Sequence, residues 1–368
     1  MKLSEFKLER YFNKHEFNVD FMLCGSDCES LTVKELLALE PDAGDRFKRH
    51  WLGYTESKGS PSLRREVCNL YQSTRPDQVL VHSGAEEAIF LFMNAVLEAR
   101  DHVIVHWPCY QSLIEVARSI GCQVTLWHGH EENGWALDID ELKAHIKPNT
   151  KVIVINTPHN PTGYLMPHGD FQELNLIASE NGIILFSDEV YRESEYSADD
   201  RLPGACDVNE NAVSLGVMSK TYGLAGLRIG WVATRNQGVN KKMAGLKDYT
   251  TICNSAPSEF LAELALRHRE KLIERNMGII KGNLDILDDF FKMYTDRFEW
   301  KRPEASPVAF PRLIGEEVEP FCDLLVQKAG LLLLPGTVFD DTRNHFRIGF
   351  GRKNLPEAVS RLKEFMGC

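Results

Sequence analysis

The residue of the sequence that is best suited to covalent chemistry is Lys220, within residues 219–228 (SKTYGLAGLR). Small, flexible and hydroxyl residues surround this lysine, and Arg228 follows it in the same stretch. A lysine amine condenses with an aldehyde when desolvation or a neighbouring cation lowers its pKa. Arg228 could be that cation and could also bind a phosphate through its planar guanidinium. The stretch therefore predicts a reactive lysine, although a single lysine is more often a solvated surface charge.

A nucleotide-binding P-loop is a competing interpretation of Ser219-Lys220-Thr221. That loop has a glycine directly before its lysine and another glycine five residues earlier. Here those two positions are Ser219 and Ser214. The P-loop interpretation is therefore excluded.

Three further polar residues lie in or directly after apolar segments. Asn160 precedes a proline after the strand predicted at 151–156, so it is held extended at a strand's carboxyl end, where open α/β sheets bind ligands. Asp188 follows the strand predicted at 182–187 and either caps the next turn or meets a cation or donor. Arg347 lies between apolar neighbours and either binds an anion or faces water from an edge strand.

Gly84-Ala85-Glu86 forms a small-residue turn between a predicted strand and a predicted helix. Such a turn exposes backbone N–H groups at the positive end of the helix, where a phosphate binds well. Every α/β protein has several of these turns, so this one is a weak signal taken alone.

The segments that carry these residues alternate between short apolar strands and helices. The strands are predicted at 79–83, 102–106, 123–126, 151–156, 182–187, 212–218 and 229–233. This alternation predicts an α/β fold, with a large domain whose mostly parallel, seven-stranded sheet is flanked by helices. A smaller α+β domain would combine the N-terminal arm with the C-terminal part. We place the arm at residues 1–40, the large domain at 41–255 and the small C-terminal domain at 256–368.

Composition limits the classes of function. The 368 residues carry a formal net charge of −11 at pH 7, which argues against a nucleic-acid partner or an anionic membrane surface. No apolar run approaches the roughly 20 residues that span a bilayer. The nine cysteines are scattered, and the spacing of Cys24 and Cys28 has no second cluster to complete a metal site. We therefore predict a cytoplasmic protein without a metal.

Residues 219–230 (SKTYGLAGLRIG) resemble the cofactor-lysine segment of the fold-type I, pyridoxal-phosphate-dependent aminotransferases of the class I/II family. Asn160-Pro161-Thr162-Gly163 is a second specific match, and the other motifs follow in family order over about residues 50–352. The resemblance implies pyridoxal 5'-phosphate as cofactor. It also implies transfer of an amino group between an L-amino acid and a 2-oxo acid through a Schiff base on Lys220.

The resemblance assigns the cofactor contacts residue by residue. Asp188 would face the ring nitrogen, Asn160 and Tyr191 the ring hydroxyl, and Tyr110 the ring's flat face. The phosphate would be bound by residues of two turns: Gly84, Ala85, Glu86, Ser219 and Arg228.

The resemblance also implies a shared active site in a homodimer, because the family places a tyrosine like Tyr54 on the neighbouring subunit's phosphate. Arg347 and Asn160 would bind the substrate, with the carboxylate held by the arginine. Gly25 and the adjacent Ser26 would line the substrate entrance, where an ordinary loop is an equal alternative.

Two departures from the family pattern bear on the function. Val217 stands where the family often has a phosphate-binding serine, so Ser219 or Arg228 would compensate. Glu86 stands where a neutral residue is usual, and we expect its side chain to turn away from the phosphate.

The reaction has several possible assignments on this scaffold. No second arginine is evident for a dicarboxylate side chain, which disfavours an aspartate-specific enzyme. A lyase, cyclase or oxidase acting on an amino acid is the alternative enzyme. A cofactor-sensing regulator is the alternative outside catalysis.

Overall fold

The computed structural model describes residues 2–367 and has the predicted α/β architecture. Its central sheet has seven strands in the order β2-β8-β7-β6-β5-β3-β4. Strand β8 runs antiparallel to both of its neighbours, and all other neighbouring strands are parallel. The strands of residues 2–367 are β1 (Phe21–Met22), β2 (Val79–His82), β3 (His102–Trp107), β4 (Gln123–His128), β5 (Thr150–Asn156), β6 (Ile184–Asp188), β7 (Ala212–Val217), β8 (Gly230–Thr234), β9 (Phe298–Glu299), β10 (Val308–Ala309), β11 (Arg312–Leu313), β12 (Leu331–Leu332), β13 (Leu334–Pro335) and β14 (Phe346–Gly349).

Helices cover the sheet and build the C-terminal part. The α-helices of the described residues are α1 (Lys7–His15), α2 (Val33–Leu37), α3 (Ala43–Lys48), α4 (Pro61–Cys68), α5 (Gly84–Val96), α6 (Ser112–Ile120), α7 (Ile139–His145), α8 (His168–Glu180), α9 (Ala205–Val208), α10 (Gln237–Lys247), α11 (Ala256–Arg267), α12 (Arg269–Met293), α13 (Val318–Ala329) and α14 (Leu355–Met366). None of the helices in residues 2–367 is both long and apolar enough to cross a membrane.

Burial explains why the inner strands are continuous apolar runs in the sequence. Every residue of β3, β6 and β7 is buried, because helices pack on both faces of the sheet. Strand β4 lies at one edge and is only partly buried. The sequence pattern of these strands was therefore sufficient to locate the sheet to within one or two residues at each end.

The carboxyl ends of neighbouring strands bring the predicted polar residues to one edge of the sheet. Asn156 at the end of β5 is paired in register with Asp188 at the end of β6. Strand β7 ends beside them at Val217, and the segment with Lys220 follows directly. Ligands bind at this edge in open α/β sheets.

The N-terminal segment packs with the C-terminal part of the chain. Strand β1 pairs in parallel with β12, and β14 lies between β10 and β13 in a three-stranded sheet. Two consecutive helices, α11 and α12, lead into the C-terminal part and are separated at His268. The exact domain boundaries at residues 40 and 255 stay predictions.

Candidate active site

A cavity of about 350 Å³ opens at the carboxyl edge of the sheet. This is the size of a pocket for a small ligand. Its walls include most of the predicted site residues, namely Gly25, Ser26, Ala85, Glu86, Tyr110, Asn160, Asp188, Tyr191, Ser219, Lys220, Arg228 and Arg347. These residues are far apart in the sequence, and the fold brings them to one place.

Lys220 lies in the wall of the cavity after β7. Its Nζ donates a hydrogen bond to Oγ of Ser26 over 2.8 Å and lies 5.9 Å from the ring centre of Tyr191. Burial lowers the pKa of Lys220 to about 8, with Arg347 acting in the same direction and Asp27 opposing it. A substantial neutral fraction at physiological pH makes this amine a nucleophile and a proton carrier.

Asp188 lies in the cavity at the end of β6 and is 5% exposed. Its Oδ1 accepts a hydrogen bond from the backbone N–H of Val190 over 3.2 Å, so it does cap the following turn. Burial nevertheless raises the pKa of Asp188 to about 7. The carboxyl therefore lacks a strong cationic partner within residues 2–367 and would be stabilised as a carboxylate by a positively charged group in the cavity.

Arg347 lies in the middle of β14 and is 1% exposed, which excludes an edge arginine facing water. Its Nη1 donates to Oδ1 of Asn160 over 3.1 Å, and its Nε and Nη2 donate to the carbonyl oxygen of Cys24 over 3.2 and 2.8 Å. These acceptors of the buried cation are neutral oxygens. Such a guanidinium is suited to an anionic ligand group such as a carboxylate.

Tyr191 and Asn160 are held in place by backbone and side-chain contacts. The hydroxyl of Tyr191 donates to the carbonyl oxygen of Ser26 over 3.1 Å. Oδ1 of Asn156 accepts from the N–H of Asn160 over 2.7 Å, while Nδ2 of Asn156 donates to the carbonyl oxygen of Asp188 over 2.9 Å. Asn156, which the sequence analysis did not single out, therefore links the Asn160 loop to Asp188.

The turn before α5 and Arg228 form a positively charged pocket. Gly84 has a φ of +84°, and a Cβ built on it would lie 2.5 Å from Nη2 of Arg228. The guanidinium thus lies against the N-terminal turn of α5, where unpaired N–H groups already carry partial positive charge. Its single side-chain hydrogen bond within the described residues is to the carbonyl oxygen of Ala225 over 3.2 Å. This arrangement is suited to binding an anion.

Ser219 lines the same cavity. It lies two residues after Val217, which stands where the family often has a phosphate-binding serine. The Oγ atom of Ser219 is buried and has no hydrogen-bond partner in residues 2–367. Val217 is 3% exposed at the end of β7 and offers only an apolar surface. An orphan hydroxyl in a cavity is free to bind a ligand oxygen.

Glu86 contacts the start of α6, whereas Tyr110 contacts the segment before α1. A carboxylate oxygen of Glu86 accepts a short hydrogen bond from the hydroxyl of Ser112, and burial raises the pKa of Glu86. The side chain thus has a partner outside the turn before α5, and its orientation relative to a bound phosphate stays a prediction. The ring of Tyr110 packs against Phe6, with ring centres 5.3 Å apart.

Tyr54 lies away from the cavity of its own chain. Its side chain is 85% exposed, beside Cys253 and Asn254 on the surface. A role for Tyr54 in a neighbouring subunit's site stays a prediction.

The sequence analysis did not assign Arg352, a third arginine, to the cavity. Arg352 lines it and donates from Nη2 to both carboxylate oxygens of Asp27 over 3.0 Å. Because this guanidinium is paired with Asp27, the expectation that no second arginine is available for a dicarboxylate side chain stays a prediction. The pairing was hidden from the sequence because 325 positions separate the two partners.

Helix α1 is the other element that the sequence analysis did not connect to the site. Its residues Leu8, Glu9 and Phe12, together with Glu16 directly after it, line the cavity. An amphipathic segment alone does not indicate which surface it covers. Among residues 2–367, no group of three or more His, Cys, Asp or Glu side chains has the arrangement of a metal site.

Comparison with known proteins places this geometry in a family. The family described as aminotransferase class I and II matches residues 21–362. A crystal structure of a PLP-dependent aminotransferase from Streptococcus suis 89-1591 is 36% identical, with a TM-score of 0.94 over 100% of this chain and 98% of that chain.

Two curated relatives extend the comparison. Capreomycidine synthase of Streptomyces vinaceus is 28% identical over 366 residues, 98% of this chain and 93% of the synthase. The aspartate aminotransferase of Pyrococcus horikoshii is 30% identical over 327 residues, 85% of this chain and 83% of the relative. The chain belongs to the class I and II aminotransferase family and is a pyridoxal-phosphate-dependent enzyme of the aminotransferase type.

The residues of the cavity fit pyridoxal 5'-phosphate. The positive pocket at Gly84 and Arg228 and the orphan hydroxyl of Ser219 suit its phosphate. The buried Asp188 suits its ring nitrogen, and Lys220 has the lowered pKa that reaction with an aldehyde requires.

Proposed function

We propose that this enzyme moves an amino group from an L-amino acid to a 2-oxo acid, with Lys220 as the cofactor lysine. When bound, pyridoxal phosphate supplies an aldehyde for the amine and a ring that withdraws electrons. The observation that carries the proposal is that Lys220, Asp188 and Arg347 line one cavity. An amine, a carboxylate for a ring nitrogen and a cation for a substrate carboxylate are the three groups that this reaction needs.

Lys220 would act through its Nζ. With a pKa of about 8, the amine is part neutral near neutral pH, so it can take a proton from the substrate Cα and return one. The hydrogen bond to Oγ of Ser26 holds Nζ over the cavity. Asp188 would hold the proton on the ring nitrogen, because a buried carboxylate favours a cationic partner.

Arg347 would orient the substrate. A bidentate contact with the α-carboxylate would replace weaker contacts to neutral oxygens of Asn160 and Cys24. Fixing the carboxylate and the amine at two points sets the direction of the Cα–H bond, which determines whether Lys220 reaches the proton.

A synthase reaction is the second candidate. The observation that favours it is the relative named capreomycidine synthase, which matches almost the whole chain. A lyase, cyclase or oxidase would use the same lysine and carboxylate clamp and would differ in the steps after proton removal.

The absorption spectrum of the holoenzyme distinguishes these reactions. Single L-amino acids are added without any 2-oxo acid. An aminotransferase should lose the cofactor's visible band, form one 2-oxo acid per site and recover the band when a 2-oxo acid is added. Catalytic release of ammonia or of a cyclic product with the band retained would contradict aminotransfer and favour the second candidate.

We further propose a homodimer in the cytoplasm. Exposed apolar side chains at Trp51, Leu52, Tyr54, Tyr249 and Ile252 support an interface near Tyr54. The eight cysteines of residues 2–367 are free thiols, which supports a reducing compartment. Sedimentation should give twice the monomer mass, and Tyr54→Phe should weaken cofactor binding.

A further inference from the structure

We propose that Glu9 and Glu16 select an amino-acid substrate with a cationic side chain. This inference rests on the proposed function, because it names the substrate class for the same cavity. Helix α1 would contribute one wall of the side-chain subsite, with acidic groups at the entrance and apolar groups below them.

The position of α1 is fixed from both sides of the cavity. The hydroxyl of Tyr11 donates to the carbonyl oxygen of Leu333 over 2.8 Å, which ties the helix to the C-terminal part. The N–H of Lys7 donates to Oε1 of Gln111 over 2.9 Å, which ties it to the segment before α6. The helix therefore bridges the cavity with a defined face towards it.

That face combines apolar and acidic side chains. Leu8, Glu9, Phe12 and Glu16 all line the cavity, and their spacing places them along one side of a helical path. Met22 adds another apolar surface. A long side chain with an apolar stem and a charged end matches such a wall, because the stem packs on apolar groups while the charge reaches the carboxylates.

The other charges of the cavity already have partners or proposed partners. Asp27 and Arg352 neutralise each other through a bidentate contact, and Glu86 accepts from Ser112. Lys220, Asp188, Arg228 and Arg347 are assigned to the cofactor and the substrate carboxylate. The carboxylates of Glu9 and Glu16 are left without a hydrogen-bond or ion-pair partner among residues 2–367.

The environment of Glu16 also favours a cation. Burial raises its pKa, and the negative charges of Glu9 and Asp27 act in the same direction, against Arg352. A cationic side chain between Glu9 and Glu16 would relieve this repulsion, whereas a dicarboxylic substrate would increase it.

L-Lysine and L-norleucine are the matched substrates for the test, because they differ only in the terminal ammonium. The rate of loss of the holoenzyme's cofactor band is measured against the concentration of each amino acid, with L-aspartate as a third substrate. We expect the second-order rate constant to be at least about tenfold higher for L-lysine than for L-norleucine, and lowest for L-aspartate.

Variants without the two charges test whether the carboxylates of Glu9 and Glu16 cause the preference for L-lysine. Glu9→Gln and Glu16→Gln, alone and together, should reduce the lysine-to-norleucine ratio of rate constants towards one, because only lysine carries the charge that the carboxylates would bind. Glu5→Gln is the matched control, because Glu5 is exposed and does not line the cavity. The norleucine rate in each variant shows that the protein is folded and loaded.

Each result has a distinct meaning. A wild-type ratio near or below one, or a preference for L-aspartate, would overturn the inference while leaving aminotransfer intact. An unchanged ratio in the double variant would overturn the role of α1. Failure of every amino acid to change the band would contradict the proposed function itself, and with it the substrate class.

Discussion

Asp188 shows most clearly how a single residue of this site depends on a ligand. Burial raises the pKa of its carboxyl to about 7, so the isolated side chain is close to half protonated at neutral pH. A protonated ring nitrogen beside it would restore the full negative charge, and the carboxylate in turn would keep the nitrogen charged. The other role of this side chain is to cap the following turn by accepting a hydrogen bond from the N–H of Val190, and this role needs no charge.

Replacing Asp188 separates these two roles. We expect Asp188→Asn to lower kcat by about 10²- to 10³-fold, because the amide can cap the turn but cannot hold a charged nitrogen. Asp188→Glu, which keeps the charge, should retain more activity. The informative measurement is kcat with a cofactor analogue whose ring nitrogen is methylated and therefore permanently charged. This analogue should rescue Asp188→Asn in part, and lack of any rescue would point to a purely structural role.

At the scale of secondary-structure elements, the turn between β2 and α5 is the proposed binding site for the cofactor phosphate. Gly84 has a positive φ, and its missing side chain leaves room for the guanidinium of Arg228. The backbone N–H groups of the helix start and the arginine then face the same space. Arg228 itself has a φ of +52°, so the chain is locally shaped to bring this side chain back over the turn.

A methyl group at position 84 should therefore weaken cofactor binding. Gly84→Ala should raise the dissociation constant for pyridoxal phosphate by about tenfold or more, because it displaces Arg228 in addition to straining the backbone. Gly134→Ala is the control, since Gly134 also has a positive φ but nothing within 4 Å of the added Cβ. Equal affinity in both variants, measured by titration of the apoenzyme, would contradict the phosphate site.

At the scale of the whole molecule, a buried ionic contact joins the C-terminal part to the sheet domain. His345 and Asp341 are both completely buried, with Nδ1 of His345 3.1 Å from Oδ1 of Asp341. Nε2 of His345 lies 3.1 Å from Oε2 of Glu131, which belongs to the turn after β4. His345 is two residues before Arg347, so this contact also holds the strand that carries the arginine proposed to bind the substrate.

The stability of this contact should depend on pH. Burial alone would lower the pKa of His345, but the Asp341 and Glu131 carboxylates outweigh burial and raise the pKa. Because the pKa of His345 is higher in the folded than in the unfolded protein, protonated His345 stabilises the fold. This contribution is fully present below the unfolded pKa, near 6.5, and is lost as the pH rises through the folded pKa. His345→Gln should therefore lower the melting temperature, relative to the wild type, by roughly 1–3 °C more at pH 7 than at pH 9.

His102 provides the control for this measurement. It is also fully buried, but Thr125 and Thr150 contact its ring and its pKa is lowered to about 4. His102 is neutral across the window, so the effect of His102→Gln should not change between pH 7 and pH 9. The same pH dependence in both variants would show that the ionic contact of His345 is not its cause.

Local patterns were enough to predict the sheet and the strand-end residues. Asp188 and Asn160 follow apolar strands, and Arg347 interrupts one, so each could be assigned from a few neighbouring residues. The contacts of Arg352 with Asp27 and of α1 with the cavity depend on how the N-terminal segment packs on the C-terminal part. Neither leaves a short-range pattern, and Arg352 by itself resembles a solvated surface charge.

The most direct test of the proposed site is the identity of the lysine that binds the cofactor. Holoenzyme is reduced with borohydride, and the intact mass is measured for the wild type, Lys220→Ala and Lys247→Gln. Lys247 is the matched control, because it is 1% exposed but donates from Nζ to the carbonyl oxygens of Ser57 and Ile252 over 2.8 and 3.2 Å. We predict that the wild type and Lys247→Gln gain the mass of one reduced cofactor and that Lys220→Ala gains none. A covalent adduct on Lys220→Ala would contradict the assignment of the site.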